Sequence, residues 1–268
     1  MSAEAEGGRA TVWVHAVVSN YSIAVPAHQV REMVTLDEHV YKPITHSNAR
    51  GLWNLRGRVV TLLDLRVLLG QRSATAELNE LCETLVQRKR DHEAWLDALT
   101  TSVRDGVPFT KARDPSQCAF GKWYDSFRTD NAVLRMQLAR LDAPHRAIHA
   151  LADATLGKTS QREREVAIQQ LEQAKRGLLK DLLRFLDECI GALRSEHREV
   201  VLVLERGDPG FGMVVDAVIG VRRIDPTEIA QVQSGALGEI EHALLGITKL
   251  ENRTSLLLDL ERLVANAG

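Results

Sequence analysis

Three cysteines (Cys82, Cys118 and Cys189) are too few and too odd in number for a disulfide framework, which points to a reducing cytosol. No apolar run approaches the roughly 20 residues that a bilayer-spanning helix needs. The opening MSAEAEGGRA has no apolar core and no cleavage signal, so residues 1–10 read as a loose, disordered tail. Charge of one sign is also missing: 34 basic residues face 36 acidic ones, a net of −2. No broad attraction to nucleic acid or membrane follows from such a balance, and direct membrane insertion is not expected. Walker loops, G-x-G-x-x-G, H-E-x-x-H and nucleophile elbows are all absent, so nothing marks the chain as an enzyme.

What is present changes character twice. From Thr11 to Leu69 the apolar residues come in short β-branched runs, Thr11–Val18, Tyr21–Val25 and Arg58–Leu69. Ser19-Asn20, Pro26, Lys42-Pro43 and Asn54-Leu55-Arg56-Gly57 separate them as turns or loops. From about Ala76 to His197 helical periodicity replaces this pattern. Its last stretch, Gln161–Arg194, aligns Leu171, Leu178, Leu182, Phe185 and Cys189 on one stripe. Strands return at Glu199: Val200–Leu204, a Gly207-Asp208-Pro209-Gly210 turn, Met213–Val221 and Thr254–Leu260. The expected organisation is one strand-rich domain in two halves, 11–75 and 199–268, with a helical insertion over 76–198.

The insertion holds the chemistry. His92, Cys118, His145 and His149 are imidazoles and a thiol, the donors zinc prefers, and four of them fill its tetrahedral shell. His145 and His149 are four apart and so stack on one helical face. His92 continues an apolar stripe formed by Leu78, Leu81, Leu85, Trp95, Leu96, Leu99 and Val103, so it faces a core. Cys118 follows Asp114-Pro115-Ser116, a turn with Ser116 as the expected N-cap. That would place Cys118 in a helical first turn, where the partial positive charge lowers a thiol pKa. Asp91, Glu93, Asp142 and Asp153 are the carboxylates near enough in sequence to orient the imidazoles. Cys82 and Cys189 read as core residues. With no open coordination position and no general base, a zinc hydrolase is the weaker reading.

His92…Trp95, Cys118-x-Phe120-Gly121-x-Trp123 and His145-x-x-x-His149 together resemble the chemoreceptor zinc-binding (CZB) domain, over about residues 78–195. The resemblance implies a helical bundle holding Zn2+ through His92, Cys118, His145 and His149, with Trp95 and Trp123 as packing residues. Such a bundle is suited to forming a homodimer.

The strand-rich halves resemble the CheW-type chemotaxis coupling proteins. The likeness lies in Gly51-Leu52-Trp53-Asn54-Leu55-Arg56-Gly57-Arg58 through Leu63-Asp64-Leu65-Arg66, in Gly212–Val221, and in Leu245-Gly246-Ile247 through Leu257-Leu258-Asp259-Leu260. It covers most of about residues 10–72 and 199–265. Thr61 stands where that family commonly has proline, and Trp53 is bulkier than the usual small aliphatic. The resemblance implies a split CheW-like domain of two SH3-like β-barrels, interrupted by the inserted α-helical bundle. It implies no catalysis, and a cytoplasmic adaptor between methyl-accepting chemoreceptors and a CheA-type histidine kinase, with receptor docking through Asn54, Arg56 and Gly57. Zinc occupancy, or oxidation of a zinc-bound Cys118 thiolate, would then modulate that coupling.

Overall fold

The computed structural model describes residues 10–36, 40–41, 49–129, 131–204, 210–232, 238–250 and 253–265. The N-terminal tail over residues 1–9, Lys42-Pro43 and Gly207-Asp208-Pro209 lie outside them. Strands β1 (Thr11–Val18), β2 (Tyr21–Pro26), β3 (Val30–Thr35), β4 (Val40–Tyr41), β5 (Ala49–Leu55) and β6 (Arg58–Asp64) come first, followed by the short helix α1 (Leu65–Leu68). Six helices follow: α2 (Ala74–Asp105), α3 (Ala119–Ser126), α4 (Ala132–Ala139), α5 (Asp142–Thr155), α6 (Gln161–Ala174) and α7 (Lys180–Glu196). The chain closes with β7 (Val200–Leu204), β8 (Gly210–Val215), β9 (Ala217–Ile224), β10 (Leu244–Leu250), β11 (Arg253–Leu258) and α8 (Leu260–Ala265). Two compact units result, one from Met1–Ala76 with Arg198–Gly268 and the other from Glu77–His197.

The β-rich unit is built from two sheets, and each interleaves strands from both ends of the chain. One runs β10-β11-β2-β1-β9, the other β3-β7-β8-β6-β5-β4. β1 pairs antiparallel with both β2 and β9, and β6 pairs in parallel with β8. Neither half of the chain can complete a sheet alone. The main apolar cluster draws Val14, Ile23, Leu63, Leu202, Met213 and Leu258 from both halves. His15 bonds Ser22 at 2.6 Å, and Ser22 bonds Ser255 at 2.7 Å. This buried chain of polar groups ties β1, β2 and β11 together.

Several apolar runs end where a charged side chain acts on the backbone. Arg58–Leu69 is not one strand: Asp64 accepts from the Arg66 N–H at 3.0 Å and caps α1. Met213–Val221 divides at Asp216 into β8 and β9, which belong to different sheets. The Asp216 carboxylate takes two 2.7 Å hydrogen bonds from Arg66 and a 2.6 Å bond from the Ser19 N–H. Asn54-Leu55 is strand and not loop, since β5 reaches Leu55. Only Arg56 (φ 51°) and Gly57 (φ 86°) make the turn, a two-residue hairpin with both centres left-handed. Trp53 is 2% exposed and packs with Val60, Leu62, Val201 and Val214, so its bulk fills a core of its own.

In the helical unit the buried side chains include Leu85, Leu96, Leu99, Phe120, Ile148, Leu171, Leu182 and Leu186. The Gln161–Arg194 stripe shifts phase midway. Lys175–Leu179 is a π-helical turn between α6 and α7. The wider turn brings Leu179 and Leu186 inward, leaving Leu178 and Phe185 only partly buried. Guanidinium groups of Arg140 and Arg184 cover the Phe185 ring at 4.3 and 4.4 Å. Cys82 and Cys189 are buried, and burial pushes the Cys189 thiol up to about 11. Among the described residues no helix is long and apolar enough to cross a membrane.

Candidate metal centre

Three elements of the helical unit bring four side chains to one point. α2 supplies His92, α5 supplies His145 and His149 one turn apart, and Cys118 stands at the head of α3. Their donor atoms all lie within 4.8 Å of one another, and this group could hold a metal ion. The imidazole centroids are 5.1 Å (His92–His145), 4.8 Å (His145–His149) and 6.1 Å (His92–His149) apart. Phe120 packs edge-on against His92 and His145.

The local backbone explains the placement. Asp114, not Ser116, caps a short 3-10 turn over Pro115–Gln117. Cys118 is itself the N-cap of α3, its Sγ accepting from the Gly121 N–H at 3.2 Å. A Cβ on Gly121 would come within 1.9 Å of the Pro115 carbonyl oxygen, so only glycine lets the turn and helix meet this closely. Trp95 does more than pack: its Nε1–H donates to the Ala112 carbonyl at 2.8 Å. That bond holds the loop whose next carbonyl, from Arg113, reaches Nδ1 of His149 at 3.1 Å.

Backbone carbonyls, not carboxylates, orient the rings. His92 Nδ1 meets the Arg88 carbonyl at 2.7 Å, as His149 Nδ1 meets that of Arg113. Both contacts require Nδ1–H, which leaves each Nε2 a bare lone pair. Nε2 of His92 and of His149 is buried without a hydrogen-bond partner, a costly arrangement that a cation relieves. Asp91 instead pairs with Arg88, Asp142 with Arg146 and Asp153 with Arg113.

Burial lowers the pKa of all three imidazoles, that of His145 to about 3 with help from its two neighbouring histidines. They are neutral at physiological pH, the form that ligates. The Cys118 thiol moves opposite to the expectation from its helix terminus: burial raises it, outweighing the Gly121 and Phe120 N–H groups. The helix end alone therefore does not make a thiolate here, and a bound cation would have to supply the missing charge. With neutral imidazoles, a half-buried sulfur and bare inward lone pairs, the donor set fits zinc. A cavity of about 300 Å³ borders His92, Trp95, Lys111, Cys118, Phe120 and His149.

Asn54, Arg56 and Gly57 stand together in the β5–β6 hairpin of the other unit. Asn54 Oδ1 accepts from the Gly57 N–H at 2.8 Å, and Arg56, 76% exposed, reaches Glu32 at 3.3 Å. One cluster was not legible beforehand. Arg50 on β5 forks onto both oxygens of Glu199, at 2.6 and 2.5 Å, and also bonds the hydroxyl of Thr75. The only available signal was Glu199 standing directly before the apolar run of β7.

Comparison with known proteins matches the CheW-like domain family to residues 14–94 and 178–268, and the chemoreceptor zinc-binding domain family to residues 92–156. The CheW-like segments make up more than half of the chain. The protein therefore belongs to the CheW-like family, whose domain here is split by a chemoreceptor zinc-binding domain. Both CheW-like matches run past Ala76 and Arg198 into the helices α2 and α7. Among solved structures the chain is similar to the scaffolding protein TtCheW from Thermoanaerobacter tengcongensis. The identity is 12% and the TM-score 0.43, over 97% of this chain and 91% of that one. No curated protein matches.

Proposed function

We propose that this protein is a cytoplasmic chemotaxis adaptor that links methyl-accepting chemoreceptors to a CheA-type histidine kinase, and that zinc held in its insertion modulates the link. The proposed halves of the adaptor are 11–75 and 199–268, the zinc module is 76–198, and the hairpin of Asn54, Arg56 and Gly57 is its receptor-docking element. The observation that carries the zinc reading is the convergence of His92, Cys118, His145 and His149, with two buried Nε2 atoms that no protein donor satisfies. Zinc would supply the positive charge that stabilises the thiolate and would cross-link α2, α3 and α5. Because those helices come from distant parts of the insertion, loss of that cross-link would loosen their packing.

Zinc per chain, measured on protein purified without added metal, tests this reading. About one zinc in the native chain and none in His145→Ala is the expected result. No zinc in the native chain overturns it. A reconstituted receptor–kinase assay, with zinc and with a chelator, then tests the modulation.

A second reading is favoured by the cavity beside half-buried Cys118, which gives small molecules access to the sulfur. With hydrogen peroxide as oxidant, the thiolate attacks one oxygen, an S–O bond forms, the O–O bond breaks and hydroxide leaves. The resulting sulfenic acid is a poorer ligand, so zinc would be released. Cys118→Ser separates the two: an oxidant sensor loses its response to peroxide, whereas a zinc sensor keeps a weakened response to chelator.

A further inference from the structure

The polar cluster around Arg50 sits where the insertion joins the β-rich unit. Thr75 lies in the first turn of α2, where the chain leaves the sheets. Glu199 lies between α7 and β7, where it returns. Arg50, on β5, contacts both: it holds Glu199 through two hydrogen bonds and bonds the Thr75 hydroxyl, which itself donates to Glu199 at 3.1 Å. Asp64 at the end of β6 is a fourth member, 3.5 Å from the same guanidinium. The Asp64 and Glu199 carboxylates are 4% and 5% exposed, and Arg50 is 16% exposed.

We propose that Arg50 is a positioning residue that fixes Thr75 and Glu199, the residues flanking the insertion, to β5 and β6, and that the state of the zinc centre reaches those strands through it. The inference rests on the zinc reading above. Its physical basis is the geometry of the clamp. A guanidinium fork is planar and directional, so a bidentate Arg–carboxylate pair tolerates little sliding. A shift of Thr75 or Glu199 must therefore either move Arg50 or break a buried, charge-assisted bond. Arg50 belongs to the strand that continues through Trp53 and Asn54 to the Arg56-Gly57 turn. His92 and Thr75 belong to one continuous helix, α2. The chain thus runs from a metal-site histidine to the clamp, and from the clamp to the docking hairpin, within two elements.

Hydrogen exchange of the β5 and β6 amides, with zinc and with a chelator, tests the relay in the full chain. Zinc is expected to slow their exchange about 5-fold or more, the lower end of allosteric coupling. In Thr75→Val, which keeps the Arg50–Glu199 pair intact but removes the link to α2, zinc should still bind one per chain but the ratio of exchange rates should fall below the native value. Arg50→Lys, which loses the fork but keeps the charge, should behave likewise. A merely structural clamp would lower the melting temperature equally with and without zinc and leave that ratio unchanged. Retention of the wild-type ratio in both variants, or no zinc effect on β5 and β6 in the native chain, overturns the relay alone. Absence of bound zinc in the native chain overturns the zinc reading first and the relay with it.

Discussion

Cys118 Sγ and His145 Nε2 stand 3.2 Å apart. On a tetrahedral zinc with bonds of about 2.3 Å to sulfur and about 2.0 Å to nitrogen, that edge would be about 3.5 Å and each N–N edge about 3.3 Å. One edge of such a polyhedron would therefore need almost no adjustment. With all donors within 4.8 Å, closing such a shell would require no donor pair to approach by more than about 1.5 Å.

A nearly formed site stabilises the fold when it is filled. Zinc at about 100 times its Kd should raise the unfolding free energy of the native chain by about 2.7 kcal/mol. His145→Ala should show no zinc-dependent change. Thermal unfolding with zinc and with a chelator measures both, and an equal rise in the variant would refute the ligand assignment.

Metal-free protein should lose stability in mild acid. The folded-state pKa values of His92, His145 and His149 lie below their ordinary values. Between about 3 for His145 and about 6.5 for an unfolded histidine, the unfolded chain therefore binds more protons. Stability is full above about pH 6.5 and falls as pH drops, by up to about 1.4 kcal/mol per pH unit for each histidine. Chelated protein unfolded in urea at pH 7 and pH 5.5 should show a lower midpoint at the lower pH. A triple His→Gln variant should flatten the difference.

Gly121→Ala should separate the turn from α3. The added methyl meets the Pro115 carbonyl oxygen and cannot be absorbed by a flexible side chain. The expected cost is about 1–3 kcal/mol, the usual range for overpacking, together with weaker zinc binding as Sγ is displaced. Competition against a zinc indicator and chemical denaturation read the two effects. Unchanged affinity would show that Cys118 is placed independently of this contact.

Arg56→Ala should leave stability within about 0.5 kcal/mol of the native chain, because the side chain is largely solvated. Trp53→Ala, by contrast, should cost about 3–5 kcal/mol by emptying a core position. If the hairpin docks receptors, Arg56→Ala weakens association measured with receptor-bearing membranes. Normal association would move the docking element elsewhere.

The convergence of His92, Cys118, His145 and His149 was legible in the sequence because its signal is chemical: the donor types and the four-residue spacing survive any error in element boundaries. The split between strands and helices was legible because periodicity changes sharply near Ala76 and Glu199. Breaks inside apolar runs were not. Asp216 ends β8 through bonds from Arg66 and Ser19, which are tertiary and leave no local trace, whereas Asp64 ends β6 through a local cap on the Arg66 N–H that the surrounding apolar run masks. Leu182 and Cys189 of the expected stripe are buried, while Leu178 and Phe185 lie at the edge of the same core, because the π turn shifts the phase locally and leaves no mark in the periodicity. The thiol shift was misjudged because a helix terminus can be read from sequence, whereas the depth of burial that opposes it cannot.

The interleaved sheets set a clock as well as a shape. β1 pairs with β9, and β6 with β8, across the whole of Glu77–His197. At about 5–20 residues per second, a ribosome needs roughly 6 to 24 s to make those intervening residues. Throughout that interval β1, β2, β3 and β6 lack their later partners β9, β11, β7 and β8, and their open edges are surfaces on which nascent chains can stick. The helical unit, whose residues are contiguous in the chain, can fold during the wait and bring the late strands to the early ones.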